Sequence, residues 1–159
     1  MKEYKFLIGD DAFEAPGIAR SAIANMLLAM WDASGKQRPG PVRLNQEADT
    51  YVCDVTPLDA PIRVETAKTV VETIAKASEQ YDWVVTDLRY GDAEPMGGVR
   101  VINAIKHLKN PVKAVCTSND PKTLEGIADS GADYVVTAST NKFSALGKVI
   151  MEHYIRRLV

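Results

Sequence analysis

Along the chain, five short runs of apolar residues alternate with five longer stretches in which apolar positions recur every three or four residues. The short runs, Tyr4 to Gly9, Thr50 to Val55, Trp83 to Thr86, Val112 to Cys116 and Tyr134 to Thr137, predict strands. Most are continuously apolar, the pattern of parallel strands covered by helices on both faces. The longer stretches, Pro16 to Trp31, Arg63 to Glu79, Gly98 to Lys109, Pro121 to Ser130 and Lys142 to Leu158, predict helices. Val64, Ala67, Val71 and Ile74 would share one face of the second, and Phe143, Leu146 and Ile150 one face of the last. Pro16, Asp120 ahead of Pro121, and Gly131 supply start and stop signals. Strict βα alternation predicts an α/β fold: a five-stranded parallel, doubly wound sheet in the order 2-1-3-4-5, flanked by five helices and joined by right-handed crossovers. Residues 33–49 interrupt the pattern with Gly35, Pro39, Gly40 and Pro41 among Lys36, Arg38 and Arg43. They predict a long mobile loop, either a solvated excursion or a docking element.

At 159 residues the chain suits one domain spanning 1–159, able to bury a core without disulfides or structural metal. A content of 46% hydrophobic and 25% charged residues is that of a folded soluble protein. The formal net charge of -2 and pI near 5.7 exclude a broad electrostatic drive toward nucleic acid or anionic lipid, so proteins or small anions are the expected partners. No run is long enough to span a bilayer, and a cytoplasmic location is expected. Cys53 and Cys116 lie in separate apolar runs, without the spacing of a zinc site or a disulfide framework, and read as buried reduced thiols.

In an open α/β sheet, ligands bind beyond the carboxyl ends of the strands. Asp10 and Asp11 end the first strand, and Asp87 ends the third, its neighbour in the expected order. An aspartate after a strand is often only a turn or cap residue. Three at adjoining strand ends are different, because they repel unless a cation compensates, and oxygen-only ligation favours Mg²⁺ or Mn²⁺. Thr117 and Ser118 end the fourth run and bring hydroxyl and N–H donors to the same edge. A metal on one side and donors on the other suit phosphoryl transfer, with Asp87 as the nucleophile that forms an acyl phosphate.

These residues resemble the receiver domains of two-component response regulators, including the stand-alone CheY-like type, over almost the whole chain. FLIGDD matches the acidic pair that supplies metal ligands, Asp10 and Asp11, and WVVTDL matches the strand ending in the phosphoacceptor, Asp87. The resemblance implies that the Arg89 backbone carbonyl completes the metal ligation. It also implies that Thr117 and Ser118 of VCTSND contact the phosphoryl group, and that Thr117 and Tyr134 of SGADYVV form the switch. Two positions depart from the family. Thr137-Ala138 stands where a Lys-Pro pair normally contacts the phosphoryl group, and Pro95 comes late, after a longer loop running from Arg89 to Glu94. Lys142 is the nearest lysine in sequence able to replace the missing charge; a solvated lysine at a helix start is the other reading, and the sequence leaves both open.

The resemblance implies a histidine kinase or phosphotransfer protein upstream and a protein target downstream, with the chain a regulatory phosphoacceptor rather than an enzyme. No output domain is expected after Val159, so action by docking or phosphorelay follows, unless the chain belongs to something larger. A pseudo-receiver that binds proteins without being phosphorylated is the main alternative, and Thr137 speaks for it. A phosphoryl-transfer enzyme on a similar fold is the other. Haloacid-dehalogenase-type phosphatases need a second aspartate two residues after the nucleophile, where Ala12 and Phe13 follow the acidic pair. Neither a dinucleotide glycine motif nor a P-loop occurs. A cobalamin module wants a histidine where Phe13 stands, and His107 and His153 read as ordinary helix residues.

Overall fold

The computed structural model describes residues 2–117, 127, 130–138 and 141–157. Its strands are β1 (Tyr4–Gly9), β2 (Asn45–Glu47), β3 (Thr50–Cys53), β4 (Ile62–Ala67), β5 (Trp83–Asp87), β6 (Val112–Thr117) and β7 (Tyr134–Thr137). Among the described residues the helices are α1 (Ile18–Ser34), α2 (Val70–Lys76), α3 (Gly97–Ile105) and α4 (Lys142–Arg157), with a 3₁₀ turn at Asp11–Glu14. One mixed sheet runs β2-β3-β4-β1-β5-β6-β7. From β4 to β7 all pairs are parallel, in the order expected of a doubly wound fold, while β2 and β3 add an antiparallel hairpin at the β4 edge.

The sheet therefore has seven strands rather than five, and the discrepancy lies between residues 45 and 79. The apolar run beginning at Thr50 is an antiparallel strand that stops at Cys53, not the second parallel strand. That place belongs to β4, inside the stretch expected to be helical from Arg63. Ile62 and Val64 are buried while Arg63 and Glu65 are half-buried, a period of two. Val64 and Ala67 happen to be three residues apart, which mimics helical spacing. The helix begins only after Thr69, whose side chain accepts from Glu72 N at 3.0 Å. Val71, expected on the buried face, is 73% exposed. The segment 33–49 is likewise not all loop, since α1 runs through Ser34 and β2 occupies Asn45–Glu47. The expected helix from Pro121 falls almost wholly outside the described residues, as do the Asp120 cap and Ser118.

Burial on both faces explains the uninterrupted apolar strands. Phe6 and Ile8 of β1 face α1 and α4 with Trp83, Val85, Ile23 and Leu146, whereas Leu7 faces α3 with Val84, Val101 and Ile102. Cys53 and Cys116 are buried and unpaired. No helix among the described residues is long and apolar enough to cross a membrane. α1 and α4 approach closely at Gly147, where an added Cβ would strike the Met26 carbonyl and the Ala29 side chain. Gly147→Ala is therefore expected to lower stability by about 1–3 kcal/mol, the usual cost of overpacking, read as a lower urea midpoint at unchanged m-value.

Candidate functional site

Asp10 leaves β1 with its backbone N–H bound to Ala67 O at 2.9 Å and its Oδ1 accepting from Ala12 N at 3.0 Å. That bond caps the 3₁₀ turn and holds Asp10, 1% exposed, under the turn that carries Asp11. Asp87 ends β5 between β1 and β6: Gly9 of β1 pairs with Thr86, and Cys116 of β6 pairs with Asp87 itself. Adjacent registers bring carboxylate oxygens of Asp10, Asp11 and Asp87 within 4.8 Å of one another.

A fourth charge completes the cluster. Lys142 Nζ lies 2.8 Å from Asp10 Oδ2 and 3.0 Å from Asp87 Oδ1. Asp10 Oδ2 is buried and accepts no well-directed hydrogen bond, so its contact with the ammonium is an ion pair without good hydrogen-bond direction. Lys142 is the first residue of α4, where the helix dipole disfavours a cation. The two carboxylates offset that cost. Asn141 Oδ1 accepts from Phe143 N and Ser144 N, both at 3.1 Å, which fixes the helix start. Phe143 stacks on Phe13 at 5.8 Å and ties α4 to the turn that follows Asp10.

Burial, then the Asp10 charge, push the Asp87 carboxyl up to about 6, with Lys142 opposing. Burial and Asp10 also raise Asp11. For Lys142 burial pulls downward, but Asp10 and Asp87 outweigh it and the ammonium is held above its ordinary range. With all groups ionised, three carboxylates and one ammonium sum to -2. Three oxygen donors within a few ångströms and that residual charge fit a hard divalent cation, and Asp10, Asp11 and Asp87 are the residues that would hold it.

A cleft of about 290 Å³ opens over the cluster, walled by Asp11, Asp87, Leu88, Arg89, Gly91, Thr117 and Lys142 among the described residues. Arg89 thus stands beside the acids, its side chain paired with Asp92. Thr117 is buried at the end of β6. Thr137 pairs with it across the sheet, yet it is exposed and stands outside the cleft wall. Tyr134, at the opposite end of β7, stacks on Trp83 at 5.8 Å with its hydroxyl 2.8 Å from His153 Nδ1. Sequence reasoning passed over Asn141, although an asparagine just before a helix is a capping signal, and over Tyr90, which is buried beneath the acids.

No protein-family model matches the sequence, and no curated protein matches it. Solved structures do. A CheY-like response regulator receiver domain from Methanospirillum hungatei superposes with a TM-score of 0.57 at 18% identity, covering 99% of this chain and 98% of that one. The chemotaxis response regulator CheY4 of Vibrio cholerae gives 0.53 at 17%, covering 99% and 100%. The receiver domain of a sensor histidine kinase from Pseudomonas aeruginosa, with a magnesium ion coordinated in its active-site cleft, gives 0.54 at 14%, covering 98% and 97%. At these identities the likeness is one of fold.

Proposed function

We propose that this chain, which has the fold of response-regulator receiver domains, is a two-component signalling protein that accepts a phosphoryl group on Asp87. The observation that carries the reading is the bridging of Asp10 and Asp87 by Lys142 within a three-carboxylate cluster, at 2.8 and 3.0 Å. An Asp87 carboxylate oxygen attacks phosphorus, and the bond from phosphorus to the donor breaks, its electron pair leaving with acetate or a histidine imidazole. Mg²⁺ or Mn²⁺ held by Asp10, Asp11, Asp87 and the Arg89 carbonyl would neutralise charge on the transferred group. Lys142 and the Thr117 hydroxyl serve phosphoryl oxygens, the positions from which preorganised charge acts. The missing lysine at Thr137 spoke for an unphosphorylated module; the Lys142 ammonium, close to both carboxylates, favours the phosphorylated reading.

Partners follow from the chemistry: a histidine kinase or phosphotransfer protein as donor, and a protein target that reads the surface of β7 and α4, in the cytoplasm. Thr117 and Tyr134 are the switch, with Tyr134 inward on Trp83 as one of its two positions. Incubation with acetyl phosphate and Mg²⁺ tests the reading, and intact mass is expected to rise by one phosphoryl group. A folded sample that stays unmodified at saturating donor and metal sinks it. Asp11→Ala is expected to weaken Mn²⁺ affinity by more than about tenfold, measured by titration, because a first-order ligand is lost.

A further inference from the structure

Beneath Asp10 and Asp87 lies a group of hydroxyls that the chemistry above does not use. Tyr90 follows Asp87 by three residues, in the loop before α3, and its ring turns inward to 7% exposure. Its Oη is 2.7 Å from Thr86 Oγ1 and 3.2 Å from Thr73 Oγ1. Thr86 and Thr73 are both fully buried. Thr86 Oγ1 donates to the Asp87 carbonyl at 2.9 Å, and Thr73 Oγ1 donates to Thr69 O at 2.7 Å. Three hydroxyl protons face four contacts. The longest, between Tyr90 and Thr73, goes without, so the phenol proton points to Thr86 and the Thr86 proton to the Asp87 carbonyl.

The surroundings are built for this arrangement. Gly9, next to Asp10, leaves the space in which an added Cβ would strike Tyr90 Oη and Thr73 Oγ1. Gly98 does the same on the other side, since a Cβ there would strike the Asp87 carbonyl, and its N–H binds Leu88 O at 2.8 Å. We infer that Tyr90 is a positioning residue for Asp87: through Thr86 it fixes the peptide carbonyl of Asp87 and thereby the direction in which that carboxylate meets Asp10 and Asp11. The consequence for phosphorylation rests on the function proposed above; the consequence for the peptide and for metal affinity does not.

The test compares Tyr90→Phe, Thr86→Val, Thr86→Ser, Thr73→Val and the double variant Tyr90→Phe/Thr86→Val, each checked for cooperative unfolding. Three quantities are read: the Asp87 carbonyl ¹³C resonance, the Mn²⁺ dissociation constant, and the rate of mass gain from acetyl phosphate. Tyr90→Phe and Thr86→Val are each expected to shift the resonance and to weaken Mn²⁺ by about tenfold, as loss of a supporting partner does. The double variant should be no worse than the worse single, because the two act in series. Thr86→Ser, which keeps the hydroxyl, and Thr73→Val should stay at parental affinity. The inference is overturned if Tyr90→Phe leaves both the resonance and the affinity unchanged, or if the two losses add in full. Should Tyr90→Phe not fold, equal resonances and affinities for Thr86→Ser and Thr86→Val overturn the inference, because Tyr90 then has no hydroxyl route to the Asp87 carbonyl. A parent that shows the coupling but gains no phosphoryl mass removes the proposed function and leaves this inference standing; the converse result removes only the inference.

Discussion

Asp87→Asn, treated with acetyl phosphate and Mg²⁺ under conditions that modify the parent, is expected to keep its unmodified mass. The amide preserves shape and removes the nucleophile, so residual modification at the parental level would place the acceptor elsewhere. The same variant should be more stable than the parent in metal-free buffer at neutral pH. A carboxyl raised from 3.8 to about 6 binds its proton more tightly in the folded state than in the unfolded chain. Stability linked to it is therefore greatest below the unfolded value and falls as pH rises from there through the folded one. Two units at ~1.4 kcal/mol each set a ceiling of about 3 kcal/mol on the penalty that asparagine removes. The opposing pull of Lys142 is already contained in that value; because the Asp87 side chain stays 14% exposed to solvent screening, about 1–2 kcal/mol is expected above neutrality, shrinking to nothing below about pH 4. Urea midpoints across that range, with chelator present, measure it; an asparagine variant less stable than the parent at pH above 7 contradicts the electrostatic account.

Lys142→Ala is expected to slow phosphorylation from acetyl phosphate by roughly a hundredfold to a thousandfold, the effect of losing one preorganised contact worth about 2.7–4 kcal/mol. Thr137→Lys should bring no comparable gain, because Thr137 is exposed outside the cleft wall and the ammonium position is already filled from α4. Restoration by Thr137→Lys in the Lys142→Ala background would show that the charge matters more than its origin. If Lys142→Ala leaves the rate unchanged while Thr137→Lys raises it, Lys142 is only a screening charge and the site has a true deficit. Removing the lysine also leaves three carboxylates without their cation, so the variant should need metal to regain the parental midpoint.

Strands β1, β5 and β6 were legible in the sequence because most of their residues are apolar and buried on both faces, so that Lys5 and Lys113 do not blur the run, and β7 was legible from Val135 and Val136 despite its exposed end. The acids were legible too, since a carboxylate that closes such a run must lie at the sheet's carboxyl edge whatever the details of packing. β4 was not. Arg63 finds Glu3 at 2.9 Å and Glu65 accepts from the Tyr81 hydroxyl at 2.7 Å, so a strand inside the sheet carries charged residues and alternates. With a helix starting after Thr69, the composite matched a helical period, although Thr69 and Glu72 at capping-box spacing marked the true start.

Lys142 and Tyr90 lie on the tertiary side of the divide. Lys142 is far along the chain from Asp87, and its ammonium reaches the acids only because the Asn141 cap and the Phe13–Phe143 stack set where α4 begins. Tyr90 is one aromatic in a polar loop, and nothing local says whether its hydroxyl faces water or Thr86. Periodicity reports which side of an element is buried, through the average free energy of burying many residues. The direction of a single polar atom depends on a few contacts between distant segments, and only the folded chain brings those together.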